Sequence, residues 1–466
     1  MKFILLIACA CFALSSNAQG LISQTSTKPS TSCGSHDLMI HTNNHIPGFM
    51  AQSDKMMHDI QQVLSHNKST NGKGVSEINV VFHVVYNNAQ ENIHDSVFRN
   101  QITLLNNCFR RRNADTAKLR SEFDEIVGDS KIEFKLATRD PLGNPTSGIT
   151  KTSTSIKNFG GILPHGPGEN AKILKWLNDS LFINYFRITE DSMGGKTAWD
   201  DTRYLNIWIG DLRIFEPNFS NFEELVYFAL ATPPQNHVNW PDSIFDIIPS
   251  FNQGVLMHYN AVGPNNPSKF KAPYNAYNGI VNTGKLLVHE VGHYLGLRHI
   301  WGDGDCSFDD YIDDTPKSAA ASQYNCISAA NTCTDTINGK DLPNMIENYM
   351  DYSSGDCQNA FTNGQIALMQ NVLETYRSTI VSTKSTMVGG QFTLYPNPSN
   401  GNFNVEMPND VTCTKYVIYD IQGAVVLSGD VSNSNRFEIQ LHTKSGYYFI
   451  EVTTSIGALN QKLLID

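Results

Sequence analysis

The sequence predicts a mixed α/β domain followed by a small all-β sandwich, and two observations lead to this prediction. Between about residues 76 and 380, runs of β-branched and aromatic residues precede helical patterns, as expected for helices layered on a sheet. After about residue 385, short strands punctuated by Gly and Asn follow one another closely, which is typical of a sandwich of about eighty residues.

The elements of the first domain follow from hydrophobic periodicity, taken in chain order. Ile78–Tyr86 has the β-branched and aromatic composition of a buried strand, and the next segment places Val97 and Leu105 on one stripe of a helix. Further strands are predicted at Ile132–Ala137, Tyr204–Ile209 and Val255–Tyr259. A helix is predicted from about residue 284 to 295. The Pro-containing residues 213–253 are interpreted as a loop-rich insertion.

The C-terminal segment alternates strands with turn residues and contains no catalytic constellation. The predicted strands are Phe392–Tyr395, Asn402–Glu406, Tyr416–Tyr419, Val425–Leu427, Phe437–Gln440 and Tyr447–Val452. The sandwich is expected to occupy residues 387–466 and the α/β domain residues 76–380.

The N-terminus has the composition of a signal peptide. Lys2 precedes the apolar run 3–14, and a small-x-Ala exit ends at Ala18, so residues 1–18 are expected to be removed on export. A lipoprotein cleavage box ending at Cys9 is the alternative. No later run is apolar enough for a transmembrane segment. Residues 19–75 are polar with little periodicity, which predicts a pro-segment or a flexible leader.

The charge balance bears on the class of partner. Asp and Glu number 45 and Lys and Arg number 34 in 466 residues, giving a formal net charge of −11. This acidic balance argues against nucleic acid as a partner.

The segment from His289 to His299 has the pattern H-E-x-x-H-x-x-G-x-x-H. Residues four apart share one face of a helix, so His289 and His293 can bind one zinc ion together. Gly296 allows a sharp turn that brings His299 in as a third ligand. Three protein ligands leave a position open for water, and Glu290 can act on that water as a general base. The pattern therefore predicts a catalytic zinc site.

Four cysteines follow this segment. Cys306, Cys326, Cys333 and Cys357 in an exported chain suggest two disulfides, for which the sequence alone allows three pairings. A second zinc site is the weaker alternative, because no C-x-x-C spacing occurs.

The zinc motif, followed by Asn348-Tyr349-Met350-Asp351-Tyr352, resembles the metzincin clan of metalloendopeptidases, and within that clan the pappalysin family. Weaker matches across residues 78–375 accompany these motifs. The resemblance implies a metzincin-like catalytic domain in which Met350 forms the methionine turn under the zinc histidines. It also implies that Tyr352 hydrogen-bonds the developing oxyanion.

The same resemblance implies further sites. The family's cysteine pattern pairs Cys306 with Cys333 and Cys326 with Cys357. The loop 309–315 resembles a family calcium loop, with Asp310 and Thr315 as the expected Ca²⁺ ligands. Its alternative is a solvated acidic loop.

Cys33 lies where the family keeps an inhibitory cysteine in its pro-segment, and a thiolate there would bind the zinc ion of the latent form. An unpaired thiol without this role is the alternative.

One position departs from the family pattern. Members that cleave beside Arg or Lys carry an aspartate two residues before the cysteine of this turn, where this chain has Gly355 and places Asp356 one residue later. A preference for basic side chains is therefore not predicted.

The last domain resembles the sorting domain of type IX secretion cargo. The matching residues include Leu394-Tyr395-Pro396-Asn397-Pro398, Gly401, Tyr419-Asp420 and Gly446-Tyr447. This resemblance implies export across a bacterial outer membrane by the type IX secretion machinery, to the medium or the cell surface. A generic binding sandwich is the alternative.

These observations together predict a secreted zinc metalloendopeptidase, made as a latent zymogen, that acts on protein or peptide substrates. Two alternatives use the same residues: an inactive zinc-containing adhesion protein and a zinc amidase acting on cell-wall material. The water-activating Glu290 argues against the first of these.

Overall fold

The structure is a computed structural model of the whole chain, and it describes residues 33–66, 74–162, 180–216, 222–224, 227–234, 252–269, 281–378, 380–384, 392–407, 411–454 and 457–466. The chain divides into two compact units, residues 1–71 with 76–382 and residues 72–75 with 383–466. The predicted signal peptide, residues 1–18, lies outside the described residues.

The first unit is built on a mainly parallel sheet. Its strands are β1 (Val75–Tyr86), β2 (Ile132–Leu136), β3 (Ile149–Ser153), β5 (Leu205–Gly210), β8 (Ala229–Ala231), β9 (Gly254–His258) and β10 (Val381–Lys384), which lies at the division between the two units. β1 pairs in parallel with β2, β3 and β5, and β5 pairs in parallel with β9. β8 is antiparallel to β9 at the end of the sheet. Both β5 and β9 are buried along their whole length, as expected for strands covered on two faces.

Helices and short strands complete this unit. The helices are α1 (Ser35–His45), α2 (Phe49–His66), α3 (Asp95–Phe109), α4 (Leu181–Phe186), α5 (Lys285–Tyr294) and α6 (Asn363–Thr375). Short 3₁₀ turns cover Ala114–Lys118, Ser121–Phe123, Arg187–Thr189 and Asp191–Met193. The remaining strands are β4 (Gly161–Ile162), β6 (Ile214–Glu216) and β7 (Phe222–Glu224), which form a separate small sheet. The apolar stripe of α3, which includes Val97 and Leu105, is buried as predicted.

One expectation from the sequence is wrong. Part of the supposed insertion 213–253 belongs to the main sheet, because Ala229–Ala231 forms β8 on the edge of β9. The three-residue strand is too short to give a periodic signal. Residues 35–66, which the sequence analysis assigned to a pro-segment or a flexible leader, contain the helices α1 and α2. Buried Leu38, Met57 and Ile60 anchor these helices in the hydrophobic core.

The second unit is all-β. Its strands are β11 (Thr393–Tyr395), β12 (Asn402–Glu406), β13 (Cys413–Tyr419), β14 (Val425–Ser434), β15 (Arg436–Gln440), β16 (Gly446–Thr454) and β17 (Gly457–Ile465). They form antiparallel sheets with the orders β11–β12–β15 and β14–β13–β16–β17. The buried core includes Phe403, Ile418, Ile450 and Leu463. This confirms the predicted sandwich and adds β17, which the sequence analysis did not include.

Candidate metal centre and active site

The helix α5 and the turn after it position three histidines. α5 is buried throughout, and His289 and His293 lie one turn apart on it. Gly296 follows the helix with φ +92°, and a Cβ atom there would lie 2.9 Å from a methyl carbon of Val372. Only glycine suits this left-handed and crowded position, which ends the helix and allows the chain to return His299 to the other two imidazoles.

The three imidazoles converge through their Nε2 atoms. These atoms are 3.0 Å apart for His289 and His293, 3.1 Å for His293 and His299, and 3.3 Å for His289 and His299. All three side chains are buried. The structure therefore brings together the three predicted zinc ligands.

The hydrogen bonds made by the Nδ1 atoms show that Nε2 is the nitrogen of each ring that is free to bind a metal. In chain order, the Nδ1 atoms of the three histidines lie next to the Tyr349 carbonyl at 2.7 Å, the Leu297 carbonyl at 2.8 Å and the Asp303 carboxylate at 2.5 Å. These oxygens accept hydrogen bonds and do not donate them, so each Nδ1 carries the proton. Each Nε2 then presents a lone pair.

Three lone pairs that face one another repel unless a cation lies among them. Burial lowers the pKa of His289 to about 3 and the pKa of His293 well below its ordinary value, which keeps these rings neutral as metal binding requires. Tetrahedral zinc with Zn–N bonds of about 2.0–2.1 Å separates its ligand nitrogens by about 3.3–3.4 Å. The observed separations approach this value, so the donor set fits zinc.

Cys33 is the fourth group of this cluster. Its Sγ and the imidazole nitrogens all lie within 4.8 Å of one another. The same sulfur is 3.3 Å from Oε2 of Glu290, and the Cys33 carbonyl accepts a hydrogen bond of 3.2 Å from the hydroxyl of Tyr352. Burial raises the pKa of the Cys33 thiol well above its ordinary value. Cys33, from the N-terminal part of the described chain, therefore lies at the centre of the site.

Glu290 is enclosed by the same segment. Its Oε2 accepts a hydrogen bond of 3.1 Å from the hydroxyl of Ser35, and its Oε1 is buried without a hydrogen-bond partner among the described residues. Burial raises the pKa of the Glu290 carboxyl to about 8. The sequence analysis did not identify Ser35, because a serine in a polar leader carries no periodic or motif signal.

The two residues expected around the methionine turn lie against the cluster. A Cβ atom on Gly292 of α5 would lie 2.4 Å from Sδ of Met350, so the turn packs directly beneath the helix. The ring of Tyr352 lies 5.6 Å from that of His289 and 4.9 Å from that of His299, between centroids. Its hydroxyl faces the pro-segment at the centre of the site.

Asp303 is a functional residue that the sequence analysis missed. It binds Nδ1 of His299 through one oxygen, and its other oxygen lies 3.1 Å from Nδ1 of His36 in α1. Although burial alone would raise the pKa of the Asp303 carboxyl, the neighbouring His299 and His36 hold it below its usual range. Its position four residues after the third histidine was the available signal, since metal-bound histidines commonly donate to a carboxylate.

Residues 33–35 pair with the edge strand β8. The amide of Gly34 donates to the carbonyl of Ala229 at 2.9 Å, and the amide of Ala231 donates to the hydroxyl of Ser35 at 2.8 Å. Cys33 and Ala229 form a parallel bridge. The segment thus uses the free edge of the sheet beside the metal centre.

The cysteines after the metal site form two disulfides. Cys306 pairs with Cys333 and Cys326 pairs with Cys357. This is the pairing that the family resemblance implies.

The loop 309–315 contains buried oxygen atoms. Oδ2 of Asp310, Oδ1 of Asp314 and Oγ1 of Thr315 each lack a hydrogen-bond donor among the described residues. Burial raises the pKa of the Asp310 carboxyl well above its ordinary value. Buried hard oxygen ligands of this kind fit Ca²⁺.

Gly355 is the position that departs from the family pattern. Its surroundings are not those of an acidic pocket that would bind a basic side chain. Gly355 is buried and its carbonyl accepts a hydrogen bond of 2.6 Å from the ammonium of Lys285, whereas Asp356 is exposed. The Lys285 ammonium also forms an ion pair with Asp115. The shifted carboxylate of Asp356 is therefore not buried beside the turn.

Two family profiles match the chain. The profile described as pregnancy-associated plasma protein-A, of the M43 peptidases, matches residues 253–374. The profile described as a secretion system C-terminal sorting domain matches residues 393–466.

Solved structures and curated proteins give similar results. Mature mirolysin of Tannerella forsythia in complex with a cleaved peptide is 35% identical, with a TM-score of 0.50, and the match covers 66% of this chain and 96% of that one. A promirolysin mutant is 32% identical, with a TM-score of 0.55, covering 75% and 96%. An extracellular metalloprotease of Arthroderma gypseum is 23% identical over 67% of this chain and 78% of its own length. One of Pyricularia oryzae is 41% identical over 21% and 32%.

Proposed function

The chain belongs to the pappalysin family of zinc metallopeptidases, and from this premise we propose that it is a secreted endopeptidase made as a latent zymogen. The observation that carries the proposal is the convergence of three Nε2 lone pairs beside the carboxylate of Glu290. Neutral, pre-oriented imidazoles are the ligands of a hydrolytic zinc site that keeps one position open.

The chemistry is divided between the metal and the chain. Zinc, when bound by His289, His293 and His299, lowers the pKa of a water molecule and polarises a carbonyl group. Glu290 takes the proton of the attacking water and passes it to the leaving amine. The hydroxyl of Tyr352, once Cys33 has left, donates to the developing oxyanion. Asp303 holds His299 in the tautomer that binds metal.

Latency follows from what the pro-segment occupies. The sulfur of Cys33 lies between Glu290 and the imidazoles, where the attacking water has to bind. Its carbonyl engages the hydroxyl of Tyr352, and Ser35 engages Glu290. Cleavage between Lys68 and Gly74, a polar stretch, would release all of these contacts at once.

Calcium is proposed as a second, structural metal. The buried oxygens of Asp310 and Thr315, with Asp314 next to them, are the candidate ligands. A bound cation would compensate the charge of the buried carboxylates, which otherwise is unfavourable.

Secretion agrees with the C-terminal sorting domain. None of the described helices combines the length and the apolar character needed to cross a membrane. We propose the type IX machinery as the export partner, and proteins or peptides outside the cell as substrates. The proposed organisation is a signal peptide 1–18, a pro-segment 19–75, a catalytic domain 76–380 and a sorting domain 387–466.

The proposal is tested with protein trimmed after about residue 73. The trimmed wild type is expected to cleave casein, and Glu290→Ala is expected to retain zinc and fold but to lose cleavage. Equal cleavage by Glu290→Ala would contradict the mechanism. Hydrolysis of peptidoglycan fragments without cleavage of proteins would favour the amidase alternative, and binding without any hydrolysis would favour the adhesion alternative.

A further inference from the structure

Arg298, the residue directly before the third histidine, is bound by the pro-segment. Its Nη2 lies 2.8 Å from Oδ1 of Asp54 and donates to the hydroxyl of Ser53 at 3.0 Å. Both partners belong to α2. On the opposite side the guanidinium lies over the ring of Tyr311, 4.9 Å from its centroid. The contact with Tyr311 remains when the pro-segment is removed, whereas the contacts with Ser53 and Asp54 are lost.

Arg298 faces the same cavity as the metal site. A cavity of about 530 Å³ is lined by Arg298, His293 and Asp303 on the catalytic side. His36 and Met50 of the pro-segment line it on the other side. Removal of α1 and α2 therefore turns this cavity into an open cleft with Arg298 on its wall.

Loss of the pro-segment leaves Arg298 without a counter-ion. Among the described residues its ion pair is with Asp54, and only 16% of its side chain is exposed. The other acidic residues that line the cavity are Asp309, which pairs with Lys317 at 3.1 Å, and Asp303, which keeps its hydrogen bond to His299 after His36 has left. A guanidinium remains charged and its planar donors match a carboxylate.

We propose that Arg298 of the mature protein binds an acidic side chain of the substrate near the cleaved bond. Asp54 is then the carboxylate that fills this subsite in the latent form. This inference depends on the proposed peptidase function. Arg298 directly precedes the metal-site residue His299, so the acidic residue is expected within about three positions of the cleaved bond.

The test uses trimmed protein and peptides that differ only by Glu or Gln at one of the positions flanking the cleaved bond. At one position, kcat/KM for the Glu peptide is expected to exceed that for the Gln peptide about tenfold. The ratio is expected to fall in high salt. Arg298→Gln should bring the ratio close to one, and Arg298→Glu should make a Lys peptide the better substrate.

A matched control removes another arginine. Arg99 is exposed on α3 and pairs with Asp95, and it does not line the cavity, so Arg99→Gln should keep the wild-type ratio. If Arg298→Gln does not fold, Arg298→Lys should retain a preference for Glu. Equal cleavage of Glu and Gln peptides at every position, or an unchanged ratio in Arg298→Gln, overturns the inference alone. No cleavage of any peptide overturns the proposed function and this inference with it.

Discussion

The hydroxyl of Ser35 donates a hydrogen bond of 3.1 Å to the carboxyl group of Glu290, so the proposed pro-segment contacts the proposed general base as well as the histidine cluster. The same hydroxyl accepts from the amide of Ala231 on the edge strand. Through these two hydrogen bonds, Ser35 connects Glu290 to the edge strand β8 in the latent chain.

Ser35→Ala should weaken latency. A hydrogen bond contributes about 1 kcal/mol, so untrimmed Ser35→Ala should show roughly fivefold more residual peptidase activity than untrimmed wild type. The trimmed proteins should be equally active, because trimming removes the residue. The control Asn44→Ala changes an exposed residue of the same helix. Equal latency of Ser35→Ala and Asn44→Ala would contradict the role of Ser35.

Cys33→Ala should release activity without trimming. The variant removes the sulfur ligand and admits water to the metal, so its untrimmed activity should rise above that of untrimmed wild type, although Ser35 and the helices α1 and α2 should keep it below that of trimmed protein. The measurement compares hydrolysis of one fluorogenic peptide before and after trimming. An untrimmed variant as inactive as untrimmed wild type would show that Cys33 is an unpaired thiol without an inhibitory role.

Asp303→Asn should lower zinc affinity, because it removes the charge that orients His299. Loss of such a hydrogen-bonding partner typically costs about 10–100-fold in affinity. Asn tolerates the left-handed backbone at this position, where φ is +59°, so the fold should survive. Competition with a chromogenic chelator measures the affinity. Asp305→Asn, an exposed neighbour, is the control, and the prediction is wrong if both variants bind zinc as the wild type does.

Calcium should stabilise the trimmed protein through the loop 309–315. Saturating Ca²⁺ should raise its Tm relative to EGTA by on the order of 5 °C, and Asp310→Asn should lose most of this difference. Asp356→Asn, which changes an exposed carboxylate, should keep it. A calcium-independent Tm in the wild type would leave loop 309–315 a solvated acidic loop.

Much of the fold could be predicted because its signals are local. The β-branched run at Ile78–Tyr86 and the stripe through Val97 and Leu105 are periodic over many residues. β8 could not be predicted, because three residues with Ala at both ends have no periodicity and pair only through tertiary contact. The helix α1 has little apolar periodicity to detect, whereas α2 places Phe49, Met56, Met57 and Ile60 at helical spacing, a signal that the sequence analysis did not use.

The residues of the site also divide into those that a local sequence pattern predicts and those that only the folded structure brings together. His289 and His293 lie on one helix and His299 follows after one turn, so the sequence alone places the three histidines together. Ser35 lies more than two hundred residues from Glu290, and no local pattern connects them. Arg298 illustrates the same limit, because its partners Ser53 and Asp54 are known only once α2 has been placed.

The zinc content of the trimmed protein tests the central claim most directly. Elemental analysis should give one zinc per chain, and removal of that zinc by a chelator should abolish peptide cleavage until zinc is restored. Protein that contains no stoichiometric metal, yet cleaves peptides at an undiminished rate, would contradict the account.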